Sequence, residues 1–214
     1  MGAICGCCKP KPAEPTRQTV HVREYGEKVQ VSEGMDTDVI SGDGTALADC
    51  KVDQDAAYWE AVIKALPKDG QCCIGVAQKN ISLDAVIAVA PGGLPTSEPQ
   101  ASKAADDGAA DPSVIGAQSN GPKDNLAFAI SAAAGLEEGD VIGVAFGFVD
   151  QPHLRFYQNG KLMSSATVMK VQGQVKPAFS VAGGAQLGVI FDEDSFRSTP
   201  PSGYTELIKG RGML

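Results

Sequence analysis

The residues with the clearest chemical potential lie at the start of the chain, where one glycine and three cysteines could carry lipid. With the initiator methionine removed, Gly2 is a candidate for N-myristoylation, and the thiols of Cys5, Cys7 and Cys8 are candidates for palmitate. A single myristoyl chain binds a membrane only reversibly, so a palmitate would supply the second attachment that a stable anchor needs. Gly6 stands where the myristoylation pattern has Ser or Thr, which favours S-palmitoylation over N-myristoylation.

The residues around these cysteines leave two other interpretations open. Lys9, Lys11 and Arg17 would add some attraction to anionic lipid, and Pro10, Pro12 and Pro15 predict an extended spacer. A tail whose thiols carry nothing is the first alternative. A zinc site is the second, but the three clustered thiols have no fourth ligand in reach by sequence.

Motifs for catalysis or for metal binding are not found elsewhere in the sequence. There is no G-x-S-x-G elbow, no H-E-x-x-H pair and no Walker loop, and only His21 and His153 could act as a base near neutral pH. The acidic run 192–194 lacks the spacing of a calcium loop. We therefore predict no enzyme, no cofactor, no metal and no small-molecule substrate.

Composition and charge narrow the class of protein further. The chain has 214 residues, 43% of them hydrophobic, which is enough for the core of one β-rich domain. Its formal charge of −8 argues against nucleic acid as a partner. The sequence has no apolar run of about 20 residues and no secretory signal at its start, so we expect a cytoplasmic location.

The strongest local pattern is a β-meander between residues 139 and 181. Ile142, Val144, Phe146 and Phe148 alternate with smaller residues, as one face of a strand requires. A second alternating run, 154–158, ends at Asn159-Gly160, a pair typical of a type I′ hairpin turn. Further strands are predicted at 19–25, 37–41, 46–52, 72–77, 113–117, 126–131, 178–181 and 186–191.

Two segments do not fit this simple alternation. Residues 55–66 carry apolar side chains at both helical and strand spacing, so periodicity alone cannot decide between helix and strand. Residues 91–124 are rich in Ala, Gly, Pro, Ser and Asp, which predicts a mobile acidic insert.

Seven blocks in order give the chain its resemblance to a known family. They are Ile40-Ser41-Gly42-Asp43-Gly44, Tyr58-Trp59-Glu60, Ile74-Gly75-Val76-Ala77, Gly139-Asp140-Val141-Ile142-Gly143, Phe156-Tyr157-Gln158-Asn159-Gly160-Lys161, Lys176-Pro177-Ala178 and Pro200-Pro201-Ser202-Gly203-Tyr204. In this order they resemble SPRY domains. The resemblance implies an all-β fold, a two-layer antiparallel β-sandwich of concanavalin-like type, and places residues 58–64 on a strand.

The resemblance also implies domain limits and a binding role. We expect a flexible Cys-rich and Pro-rich tail at 1–17, the sandwich at 18–209 and a short C-terminal tail at 210–214. The family uses loops at one end of the sandwich to bind a protein partner, and the loops here are 26–28, 51–57, 78–83, 90–124 and 150–153. Polar and aromatic residues of such loops commonly make contacts, so the predicted partner-binding residues are Lys79, Asn80, Asp150, Gln151, His153 and Tyr157.

The functional hypothesis is a non-enzymatic adaptor, tethered to a cytoplasmic or ciliary membrane face through the tail. The main alternative is a fixed structural subunit of a large assembly such as the ciliary axoneme. A weaker alternative is a glycan-binding or hydrolytic sandwich, in which Glu60 would be a candidate carboxylate. Trp59 is expected in the core on its strand alternation.

Overall fold

The computed structural model describes residues 19–87, 127–148, 151–171 and 173–210, which form two β-sheets packed face to face. The smaller sheet has the order β1-β4-β12-β6-β7, and the larger has the order β10-β9-β8-β5-β13-β3-β2, with β11 beside β9 and β14 beside β5. All pairings between the described strands are antiparallel except that of β14 with β5. The strands are β1 Val22–Tyr25, β2 Val29–Ser32, β3 Asp38–Gly42, β4 Gly44–Ala48, β5 Ala56–Ala65, β6 Gln71–Gln78, β7 Ala127–Ser131, β8 Val141–Gly147, β9 His153–Gln158, β10 Lys161–Leu162, β11 Val168–Met169, β12 Val175–Ala182, β13 Gln186–Ile190 and β14 Thr205–Glu206.

The fold class predicted from the sequence is confirmed, and the ambiguous segment 55–66 is a strand. β5 pairs with β8 on one side and with β13 on the other, so sheet pairing overrides the local helical spacing. The predicted strand 113–117, the tail 1–17 and the insert 91–124 lie outside the described residues. So do Gly2, Cys5, Cys7 and Cys8. Among the described residues, no helix is long and apolar enough to cross a membrane.

The core lies between the sheets and is formed by one side of each strand. On β5 the inward residues are Ala57, Trp59, Ala61 and Ile63, and Trp59 is fully buried, as predicted. On β8 the inward residues are Ile142, Val144 and Phe146. Phe148 was expected to continue this row, but β8 ends at Gly147 and the Phe148 side chain is 53% exposed.

The hairpin between β9 and β10 has the predicted turn and an additional clamp. Asn159 and Gly160 have φ values of 50° and 79°, as a type I′ turn requires. The Asp140 carboxylate accepts hydrogen bonds from the Glu137 amide, the Gln158 side chain and the Asn159 side chain at 2.7–2.8 Å. Partial burial opposes ionisation, but these hydrogen bonds prevail and lower the pKa of Asp140.

The C-terminal part of the chain covers the outer face of the large sheet. We call residues 191–204 the strap. On β5 the outward residues Tyr58 and Glu60 are at most 1% exposed, because the strap packs on both. The ring of Phe196 meets Tyr58 edge-on at a centroid distance of 5.1 Å. Tyr58 passes over Gly143 on β8, where any Cβ would overlap its hydroxyl, so this position requires glycine.

Candidate functional site

One end of the sandwich is formed by four segments joined through backbone hydrogen bonds and strand pairing. We call it the loop end; it consists of 49–55, 78–80, 148 with 151–153, and 171 with 173–175. Hydrogen bonds of 3.0, 2.7 and 3.0 Å run from the amides of Val52, Phe148 and Val171 to the carbonyls of Val175, Asp55 and Pro152, respectively. Val175 also pairs with Gln78, which brings the end of β6 to the same place. The four segments therefore form one connected surface.

The opposite end carries the tight turns 66–70, 135–140, 159–160 and 183–184. The Gly139 amide donates to the Ile63 carbonyl, and the Gly183 amide donates to the Asp43 carboxylate. The predicted binding loop 26–28 is attached here, because the Asp43 amide donates to the Lys28 carbonyl. The prediction that loop 26–28 lies at the same end as the other loops was wrong. The β1–β2 turn lies at the end that carries the tight turns.

The predicted partner-binding residues fall into two groups. Gln151, His153 and Tyr157 lie together on or beside β9 in the large sheet. Lys79 and Asn80 follow β6 in the small sheet and are exposed at the same loop end. Asp150 lies outside the described residues.

His153 differs from the expected loop residue. It is the first residue of β9 and is only 7% exposed. One ring nitrogen lies 3.1 Å from the Gln151 carbonyl and the other 2.9 Å from the Tyr204 hydroxyl. Gly147 leaves the space that this pair occupies, since a Cβ there would overlap the Tyr204 hydroxyl and the His153 ring. His153 therefore fastens the strap to the loop end, which is a structural contact.

The outward side chains of β9 share one face of the large sheet with residues of β10 and β11. Because Leu154 and Phe156 belong to the core, His153, Arg155 and Tyr157 point outward. Met169 of β11 pairs with His153, and Leu162 of β10 pairs with Tyr157. We call Arg155, Tyr157, Leu162 and Met169 the β9 face; His153 is left out because it is buried against Tyr204. Leu162 and Met169 are each 47% exposed, and Phe148, which follows β8 at the loop end, is 53% exposed.

Sequence reasoning did not select Phe148, Leu162 or Met169. Leu162 and Met169 each stand next to a lysine in the sequence, and their position beside β9 depends on strand pairings that the local sequence does not predict. Tyrosine, arginine and methionine are enriched at protein interfaces, and exposed apolar side chains grouped together indicate contact surfaces. The structure therefore places the predicted Tyr157 beside one exposed apolar residue, Leu162.

Glu60 lies beneath the strap and is completely buried. Its carboxylate accepts hydrogen bonds from the Arg197 amide (2.7 Å), the Ser198 amide (2.9 Å) and the Tyr58 hydroxyl (3.0 Å). Burial and the neighbouring Glu60 raise the pKa of Tyr58, which keeps its hydroxyl a donor. These hydrogen bonds hold the strap against the large sheet. The strap leaves the carboxylate without the access that a hydrolytic residue needs.

The cysteine thiols of the described residues are buried too. Burial raises the pKa of Cys50 to about 12, of Cys72 to about 11 and of Cys73 to about 12, so these thiols stay protonated at neutral pH. Within the described ranges, no three His, Cys, Asp or Glu side chains come together as a metal site. Burial also raises the pKa of Tyr204, while the nearby Arg155 opposes the shift.

The described geometry is that of a rigid two-layer sandwich that displays loops at one end. A family model for the SPRY domain matches residues 56–194. The chain therefore belongs to the SPRY domain family, whose members are commonly protein-interaction modules. No curated protein matches the sequence.

Solved structures with a similar chain path include several SPRY domains. A human SPRY domain is 18% identical, covering 75% of this chain and 94% of that one, with a TM-score of 0.43. The SPRY domain of human HERC1 is 14% identical over 77% and 94%, with a TM-score of 0.41. The TRIM65 PSpry domain is 10% identical over 82% and 90%, with a TM-score of 0.47.

Proposed function

We propose that this chain is a non-enzymatic interaction module that binds a partner protein through its loop end and the adjoining β9 face. Leu162 and Met169, which pair with the outward residues Tyr157 and His153 of β9, carry the proposal, together with Phe148 exposed at the loop end. These side chains are about half exposed, although they sit on a sheet whose remaining large apolar residues are mostly buried. An exposed apolar group on a rigid support is the usual basis of a binding hot spot.

The hydrogen bonds of the loop end support the same proposal. A surface that is already ordered loses little conformational entropy when a partner binds, so less of the contact energy is offset. The His153–Tyr204 contact and the hydrogen bonds among the loops would serve this purpose. On this proposal, Gln151, Tyr157, Lys79 and Asn80 contribute polar contacts at the rim, as does Asp150.

A matched pair of variants tests the proposal. Met169→Asp introduces a charge into the β9 face, whereas Met35→Asp introduces the same charge at a residue that is 96% exposed between β2 and β3. Proximity labelling in cells should lose its main partners with Met169→Asp and keep them with Met35→Asp. Thermal melts of both variants serve to verify folding. Identical partner lists for folded Met169→Asp and wild type would refute the proposal.

The tail adds a membrane tether to the proposed function. Palmitate on Cys5, Cys7 or Cys8, with or without myristate on Gly2, would hold the sandwich at a cytoplasmic or ciliary membrane face. A palmitate analogue should label wild type and a Cys50→Ser variant, but not a variant with all three tail cysteines changed to serine. Equal labelling of the triple variant would contradict tail acylation.

The structural alternative, a built-in subunit of an assembly such as the axoneme, predicts a different extraction behaviour. Detergent alone should release a lipid-anchored protein, whereas a built-in subunit should need high salt or chaotrope. The blocks 35–39 and 75–80 also resemble a small member of the family, SPRY domain-containing protein 7.

A further inference from the structure

A groove that shares no residue with the β9 face lies where the first and last described segments meet. It measures about 260 Å³ and is lined by Thr19, Val20, Phe191, Asp192, Asp194, Glu206, Leu207 and Ile208. Pockets that enclose a small molecule usually measure roughly 300–1,000 Å³. The groove is therefore better matched to one or two side chains of a peptide segment.

The floor of the groove is apolar. Val20, Phe191 and Leu207 are 3%, 5% and 3% exposed and belong to the main core, so the floor is rigid. Ile208 stands at the lip with 49% of its surface exposed. Ile208 therefore offers an exposed apolar side chain beside the concave floor of the groove.

One wall of the groove is acidic. Asp192 accepts a hydrogen bond from the Asp194 amide, and Glu206 accepts one from the Glu193 amide, so two of the three carboxylates are held in place. They do not converge as a metal site within the described part of the chain. An apolar floor below a spread acidic wall instead complements a Lys or Arg side chain, whose aliphatic stem packs on apolar surface while its charged head meets carboxylate.

We propose that this groove docks a segment of a partner protein in which Lys or Arg stands next to a large apolar residue. The basic head would pair with Asp194 and Asp192, and the apolar neighbour would cover Ile208. Residues 9–18 of this chain offer Lys9, Lys11 and Arg17 but no large apolar side chain, which favours a partner over this segment. The groove is a second contact surface, independent of the β9 face.

The test starts with a random library of 12-residue peptides displayed on phage and selected on the full-length protein. The expected result is enrichment of sequences with Lys or Arg within two positions of Leu, Ile, Met or Phe. A synthetic copy of one enriched peptide is then titrated by calorimetry against wild type and variants. Asp194→Lys should weaken binding by about fivefold or more, and raised salt should weaken it further. Glu138→Lys, an exposed reversal at the opposite end, should leave the affinity unchanged.

Further outcomes separate this proposal from its competitors. Met169→Asp should leave the affinity for the peptide unchanged. The proposal for the β9 face and the proposal for the groove can therefore be refuted separately. Selection of peptides without basic residues would overturn the proposal, as would undiminished binding to Asp194→Lys. If a variant with Arg211→Ser, Met213→Ser and Leu214→Ser bound the peptide tenfold more tightly, the chain's own C-terminal segment would be the occupant and the proposed partner would be wrong.

Discussion

Replacing Glu60 by glutamine tests how the strap is held on the large sheet. The carboxylate is fully buried and accepts two backbone N–H groups and one tyrosine hydroxyl. Glutamine has nearly the same shape, but its amide nitrogen must replace one of the two accepting oxygens. That nitrogen then faces a donor, so at least one hydrogen bond is lost and a buried donor is left without an acceptor.

The expected magnitude follows from two opposing effects. A hydrogen bond to a charged group contributes about 1.5–3 kcal/mol, and a buried unsatisfied donor costs a further 1–3 kcal/mol or so. Removing a buried charge acts in the opposite direction, because it relieves the desolvation penalty of the carboxylate. Since three hydrogen bonds already compensate that charge, we expect a net loss of about 2–3 kcal/mol in the free energy of unfolding. For a domain of this size that corresponds to a melting temperature lower by roughly 5–10 °C.

Two assays measure this effect. Urea unfolding gives the global free energy, with exposed Glu138→Gln as the control that should match wild type. Amide hydrogen exchange at Arg197 and Ser198 reports the strap itself, and their protection should fall by about 30-fold or more in Glu60→Gln. A Glu60→Gln protein within about 0.5 kcal/mol of wild type would refute the reasoning, because relief of charge burial would then outweigh the lost hydrogen bonds.

Two further predictions concern packing and thiol reactivity. Gly143→Ala should destabilise the fold by about 1–3 kcal/mol in urea unfolding, because its Cβ overlaps the Tyr58 hydroxyl, whereas Gly210→Ala, which meets nothing within 4 Å, should be neutral; equal stabilities would contradict the packing of Tyr58. In native protein at pH 8, maleimide should spare the buried cysteines and label them only after unfolding, since their raised pKa values keep them as thiols. Mass spectrometry identifies the labelled sites. Labelling of the native protein would contradict the burial of these thiols. The buried cysteines are Cys50, Cys72 and Cys73.

The sequence predicted the parts of the fold that repeat along the chain. Alternation placed β8 and β9, Asn159-Gly160 predicted the hairpin turn, and strand parity placed Trp59 in the core. Strands of two residues, such as β10, β11 and β14, have no periodicity to detect. They form because folding places them beside longer strands, and the local sequence does not show that pairing.

The functional surface was harder to predict for the same reason. Parity alone assigns Glu60 to the outer face of β5, where a carboxylate would normally meet water. The strap that covers Glu60 begins more than 130 residues later, and the sequence near Glu60 does not predict this contact. In the same way, the pairing of Met169 with His153 and of Leu162 with Tyr157 decides the character of the β9 face.

Amide hydrogen exchange of the full-length protein, with and without a purified partner found by proximity labelling, tests the central claim most directly. Added protection should concentrate at 148, 151–158 and 161–169, and it should be absent when Met169→Asp replaces wild type. Protection confined to the turns 66–70, 135–140 and 183–184 would contradict the claim that the loop end and the β9 face bind the partner.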